Sequence, residues 1–236
     1  MNRRSLFKFF GIGVATAVVA PNFLVETKMR KLDKVVSRRT NIPSPSICGD
    51  MYERPRKGYD YSIGVYVGDE ISSLDPSCIS IMRKGNGNES DVQAAEFIYG
   101  QMSVLALVEQ VAYWAKWYGA KCKDSRGPLI VIEQVQGYGD LCQAQLKIAG
   151  MTRFHRAAGY IPNKPPMVRD GWYSTRMSTP LIFYRFFEAL ENGWYRPNSE
   201  TLKDCLKQYP PEDSRRGCLA AAAQSYVGAH GLERRA

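Results

Sequence analysis

Four carboxylates stand where an α/β protein would gather chemistry. Glu133 directly follows Leu129-Ile-Val-Ile132, a continuous apolar run of the kind that forms a buried central strand. A carboxylate at the carboxyl end of such a strand lies at the crevice where α/β sheets bind ligands. Asp69 and Asp75 follow Tyr61-Ser-Ile-Gly-Val-Tyr-Val67, whose β-branched and aromatic residues read as a strand ended by Gly68. Asp213 opens the last helical stretch. Acids converging from separate elements would bind Mg²⁺ or Mn²⁺, which take oxygen ligands. Two such ions about 4 Å apart activate water and stabilise the leaving oxygen in phosphodiester cleavage. Each acid also has a plainer reading: Asp213 as a helix N-cap, Asp69 as a turn residue, Glu133 as an exposed strand-end charge. Other chemistries lack their motifs. The sequence has no Gly-Lys dipeptide, so no Walker A loop, and neither G-x-S-x-G nor H-E-x-x-H occurs. Of the two histidines, His155 reads as a packing or surface residue and His230 as part of a frayed tail.

The elements that must position these acids follow from pattern. Ser77-Cys-Ile-Ser-Ile-Met82 alternates and ends at Lys84-Gly-Asn-Gly-Asn88, which predicts a second strand and a turn. Residues 91–98 are ambiguous by period. Ser103 caps an expected helix from Val104 to Tyr118, with Leu105, Val108, Ala112 and Ala115 on one face. Asp140 and Gln143 have capping-box spacing for a helix to about Ala149. Thr152–His155 reads as a short strand. Thr179-Pro180 starts a helix that runs to about Asn192, Ser199 caps another to about Gln208, and the last runs from near Asp213 to about Val227. Early strands, then helices alternating with strands, give an α/β plan with a mixed sheet.

Charge and cysteines bound the partners. The 236 residues carry a net +9, but nine Lys/Arg and two Asp/Glu put +7 of it in residues 1–40. The body is nearly neutral, so the basic balance says little about what the body binds. The six cysteines form no C-x-x-C pair, which favours reduced, mostly buried thiols over a zinc site or a disulfide framework. Arg3-Arg4-Ser5-Leu6-Phe7-Lys8, followed by apolar and small residues to Ala20, resembles a twin-arginine export signal. The alternative is an uncleaved docking arm. The run is too short to span a bilayer comfortably, so no stable membrane insertion is expected. The expected organisation is the apolar segment at 1–25, a basic then Pro/Ser-rich linker at 26–54, the folded domain at 55–228 and a tail at 229–236.

Four segments in order resemble the C-terminal nuclease domain of the tailed-phage terminase large subunit, an RNase H-like fold. They are Tyr61–Ser77 as the first hairpin, Ile130-Val-Ile-Glu-Gln-Val-Gln-Gly137 as the central strand with its metal-binding Glu, Gly171-Trp-Tyr-Ser-Thr175 as the family's Gly-Trp-x-Thr segment, and Glu212-Asp-Ser-Arg215 as the third acidic motif before an Ala-rich helix. The resemblance implies an RNase H-like mixed sheet flanked by helices, with residues 91–98 as its third strand. It also implies metal-dependent endonucleolytic cleavage of double-stranded DNA during phage DNA packaging in the host cytoplasm. Glu133, Asp213 and Asp69 would be catalytic, and these three with Asp75 would hold two Mg²⁺ or Mn²⁺ ions. Two positions depart from the family: Tyr66 stands at the first catalytic Asp, and Ser214 at the second Asp of the third motif. Tyrosine is a poor Mg²⁺ ligand at neutral pH because its pKa is about 10. A catalytically inactive packaging or DNA-docking module is therefore one alternative, and a soluble protein exported through the twin-arginine pathway is the other. Lacking an ATPase motif, the chain would work with a separate packaging ATPase, a small terminase subunit and a portal. Arg153, Arg156, Arg215 and Arg216 are candidates for holding phosphates, with solvated surface charge as the default for each.

Overall fold

The computed structural model describes residues 47–68, 76–100, 102–134, 137–159, 167–174, 178–209 and 213–231. Its elements in chain order are β1 (Ile47–Met51), β2 (Tyr61–Tyr66), β3 (Ser77–Arg83), β4 (Asp91–Tyr99), α1 (Val104–Gly119), β5 (Leu129–Ile132), α2 (Tyr138–Ile148), β6 (Arg156–Gly159), β7 (Met167–Asp170), α3 (Ser178–Glu191), β8 (Tyr195–Arg196), α4 (Glu200–Lys207) and α5 (Asp213–His230). The main sheet has the order β1-β4-β3-β2-β5, with β8 beside the start of β4. β1 to β4 pair antiparallel, whereas β5 joins β2 in parallel, with Val65 opposite Ile132. This is the mixed α/β sheet that the sequence predicts, and residues 91–98 do form its third long strand. β6 and β7 make a separate hairpin, tied to the end of β5 through single bridges.

Side-chain alternation sends each face of the sheet into a different core. Ile63, Val65, Ile79, Ile81, Ile130 and Ile132 pack under α1 and α2, where Phe97 stacks on Trp114 with ring centroids 4.2 Å apart. On the other face Met82 and Val131 meet α3, α4 and α5. The buried stripe of α1 is Val104, Leu107, Val108, Val111, Trp114, Ala115 and Tyr118. Val108, Ala112 and Ala115 of the expected face are buried with it, and only Leu105 departs, at 58% exposed. The stripe widens toward Leu107, Val111, Trp114 and Tyr118 because these larger side chains remove more apolar area from water than Leu105 alone would.

Helix α5 lies unusually close to the sheet, and its small residues are the reason. A Cβ on Gly64 of β2 would collide with the Ala221 carbonyl oxygen and stand 2.8 Å from Ser225 N. A Cβ on Gly217 would stand 2.7 Å from the Tyr66 ring. The Ser62 hydroxyl donates to the Ser225 carbonyl at 2.5 Å. These contacts run α5 against the direction of β2, so its first turn sits beyond the carboxyl end of that strand.

Several expectations are corrected. Residues 47–51 fall in the stretch read as linker but form the edge strand β1. Helix α2 starts at Tyr138 behind Gly137, which has φ +83° and no side-chain cap bond, so Asp140 lies within the first turn and builds no capping box. α3 begins at Ser178, one residue before Thr179. Thr152–His155 supplies only a bridge from Phe154 to Ile130. His230 is not frayed: its Nε2 lies 2.7 Å from Asp91 Oδ2. Cys78, Cys142, Cys205 and Cys218 are buried and unbridged, and Cys122 is half-buried. The twin-arginine-like stretch lies outside the described residues. No helix among the described residues is long and apolar enough to cross a membrane.

Candidate active site

Two neighbouring strands deliver the first pair of site residues. Because Val65 pairs with Ile132, Tyr66 and Glu133 follow side by side at the carboxyl end of β2 and β5, and Glu133 N donates to Val65 O at 3.1 Å. The same period that buries Val65 and Ile132 under α1 turns Tyr66 and Glu133 toward α5. Tyr66 packs beside Gly217, one turn into α5 from Asp213. The backbone thus brings Tyr66, Glu133 and the start of α5 to one end of the sheet. Asp69 and Asp75 lie outside the described residues, and only the backbone of Asp213 is described.

The strand-like segment 171–174 completes the surroundings of Glu133. Trp172 N donates to Ile132 O, and Gln134 N donates to Trp172 O, both at 2.7 Å. Gly171 holds φ +97°, and a Cβ there would run into the Gln134 side chain, so glycine is required. The Gly-Trp pair thereby lays the chain along the end of β5 and brings Ser174 to the carboxylate. The Ser174 hydroxyl donates to Glu133 Oε1, and Gln224 Nε2, from α5, donates to Oε2 at 3.1 Å. Sequence reasoning missed both. The available signals were a serine inside a motif segment and a glutamine inside an Ala-rich helix.

Two features bear on whether a divalent cation suits these residues. The Glu133 carboxylate and the Gln224 amide oxygen are hard oxygen donors, which suits Mg²⁺ or Mn²⁺. Gln224 Oε1 is buried without a hydrogen-bond partner among the described residues. Such an orphaned acceptor costs about 1–3 kcal/mol unless something satisfies it. The residues therefore fit a hard cation at Glu133. Against a shared ion with Asp213 stands direction. Gln224 lies eleven residues into α5 from Asp213, roughly 16 Å along the axis, so the carboxylate is drawn toward the middle of the helix rather than its first turn. Among the described residues no three His, Cys, Asp or Glu cluster as a metal site.

The other candidates have structural partners. Arg153 donates to Gly127 O at 2.8 Å and pairs with Asp124 at 3.4 Å and Asp60 at 3.7 Å. Arg156 is exposed and pairs with Asp170 at 3.6 Å. Arg216 is exposed, and the side chain of Arg215 is outside the described residues. Burial pushes the His155 imidazole below its ordinary pKa, partly opposed by its bond to the Gly228 backbone. That bond makes His155 a clamp on the end of α5.

No family model and no curated protein matches the sequence. Solved structures do. The large terminase nuclease of thermophilic phage G20c with bound magnesium superposes with a TM-score of 0.53 at 16% identity, covering 79% of this chain and 89% of that one. A second structure of the same nuclease gives 0.52 at 15% identity, covering 79% and 90%. The nuclease domain of the phage P22 large terminase gives 0.50 at 13% identity, covering 80% and 91%. The sheet order, the helices on both faces and these superpositions agree: the chain has the RNase H-like fold of terminase large-subunit nuclease domains.

Proposed function

We propose that this chain is a divalent-metal-dependent endonuclease of double-stranded DNA that acts in phage DNA packaging in the host cytoplasm. The observation that supports this most is the Glu133 carboxylate at the carboxyl end of β5, beside the end of β2 and facing α5, on a fold shared with terminase nucleases. Bound Mg²⁺ or Mn²⁺ would supply an activated water and charge stabilisation for the leaving oxygen. Glu133 is the principal holder of the cation, with Asp213, Asp69 and Asp75 completing the oxygen set. Tyr66 closes the first-strand position with a ring instead of a carboxylate. A separate packaging ATPase, a small terminase subunit and a portal are the partners this role requires.

A second reading is a catalytically silent packaging or DNA-docking module. Tyr66 favours it, and so does the turn of Glu133 toward Gln224 rather than the first turn of α5. Plasmid nicking by the full chain separates the two. The nuclease reading expects conversion of supercoiled plasmid in Mn²⁺ or Mg²⁺, none in EDTA, and a rate at least about 100-fold lower for Glu133→Ala. A folded protein that cuts nothing, and whose melting temperature ignores both metals, establishes the silent module instead.

A further inference from the structure

Helix α5 buries an amide against the candidate carboxylate where an apolar side chain would pack as well. Gln224 is 2% exposed, next to Ala221, Ala222 and Ala223, which are fully buried. Its Nε2 is used on Glu133 Oε2, while its Oε1, carried on the same carbon, is buried and has no hydrogen-bond partner among the described residues. Ser174 holds the other carboxylate oxygen from the segment after β7. A neutral donor reaches each oxygen, and the two together direct the carboxylate. A carboxylate offers about four acceptor sites, two on each oxygen.

Resting on the reading of Glu133 as a cation ligand, we infer that Gln224 is a positioning residue for that ion. Its Nε2 orients the carboxylate, and its Oε1 offers a neutral oxygen to the cation or to a water on it. Amide and carboxylate oxygens are both suitable for hard divalent cations. This donor comes from the middle of α5. It enlarges the oxygen set in a chain where Tyr66 occupies the first-strand carboxylate position. Ser174 shares the orienting role but, as a hydroxyl already donating to Glu133, is the lesser contributor of the two.

The test is Mn²⁺ binding by the full chain, followed by calorimetry and by the electron paramagnetic resonance of free Mn²⁺. It is run beside thermal melts in EDTA and in Mn²⁺. Gln224→Met keeps the length and removes both polar atoms. It should weaken Mn²⁺ about 10- to 100-fold, the usual loss when a ligand's supporting partner is removed. It should also shrink the Mn²⁺-induced rise in melting temperature while melting in EDTA no lower than wild type. A merely structural glutamine would lower the EDTA melt and leave the Mn²⁺ increment intact. Equal Mn²⁺ affinity in wild type and Gln224→Met overturns the inference and leaves the Glu133 reading standing. Absence of Mn²⁺ binding by wild type overturns that reading, and the inference with it. Ser174→Ala, at a half-buried position, gives a second readout if the methionine variant does not fold: a drop in Mn²⁺ affinity supports the positioning of Glu133, and unchanged affinity refutes it.

Discussion

Gly64→Ala should lower the melting temperature by about 10 °C. The added carbon would collide with the Ala221 carbonyl oxygen and stand 2.8 Å from Ser225 N. Both obstacles are backbone, so no rotamer change relieves them. Overpacking a core costs about 1–3 kcal/mol, and a clash with helix backbone belongs at the upper end. About 3 kcal/mol corresponds to about 10 °C in a chain of this size. The strain falls on the contact that seats α5, so Mn²⁺ binding should weaken in the same variant. Gly100→Ala is the control: among the described residues its Cβ would meet nothing within 4 Å, and its φ lies outside the left-handed region. It should melt within a degree or two of wild type. If the two variants melt alike, the close seating of α5 on β2 does not limit stability.

The second large effect depends on pH. Glu96 lies in the middle of β4, 3% exposed, and accepts from Ser199 Oγ at 2.5 Å and from Gln93 Nε2 at 3.1 Å. Burial pushes its carboxyl from 4.5 up to about 7; the bonds from Ser199 and Gln93 pull it down, and nearby Asp50 adds to the rise. The sign follows from linkage. Below the unfolded value both states carry the proton and nothing is lost. Between 4.5 and about 7 the unfolded chain gives up a proton that the folded protein retains, so stability falls as pH rises. Above that range the folded state carries a buried charge, at a cost of about 3 kcal/mol. Glu96→Gln mimics the protonated carboxyl, with its amide donating to Ser199 Oγ and its carbonyl accepting from Gln93. Its melting temperature should match wild type near pH 4.5 and exceed it by about 6–12 °C at pH 8. His155 and the other titrating groups are common to both proteins and cancel in the difference. Parallel curves across that range would show that Glu96 ionises in the fold without cost.

Much of this architecture is legible in the sequence because its signals are local. Leu129–Ile132 is apolar throughout and does become a buried strand. It ends the main sheet rather than lying at its centre, with β2 on one side and, among the described residues, only single bridges to Phe154 and Trp172 on the other. Ser103 and Ser199 do cap their helices, accepting from Ala106 N at 3.3 Å and Leu202 N at 3.0 Å. What stays hidden depends on partners far along the chain. β4 shows no clean alternation because both of its faces are covered. Its polar residues Gln93 and Glu96 are satisfied by Asn198 and Ser199, more than a hundred residues later. β1 has weak strand chemistry of its own and is held by pairing with β4, where Gly49 comes close to the Phe97 ring. The site divides in the same way. Glu133 is visible as an acid at a strand end. Ser174 and Gln224, which orient it, come from 41 and 91 residues downstream, and nothing local marks either as its partner.

The order of synthesis gives the seating of α5 a further meaning. The ribosome makes β2, β3 and β5 long before residue 213 exists, so the emerging sheet has one face without its lid. Residues such as Met82 and Val131, fully buried in the finished protein, are bare in that interval. Elongation at about 5–20 residues per second leaves that face uncovered for several seconds. Glu133, too, is made without the glutamine that steers it. A product cut short before α5 would therefore carry the acid but could not assemble its surroundings, and it would present an apolar sheet face to chaperones and proteases. The last helix thus works as a completion check, coupling the assembly of the site to the arrival of the segment that makes the fold whole.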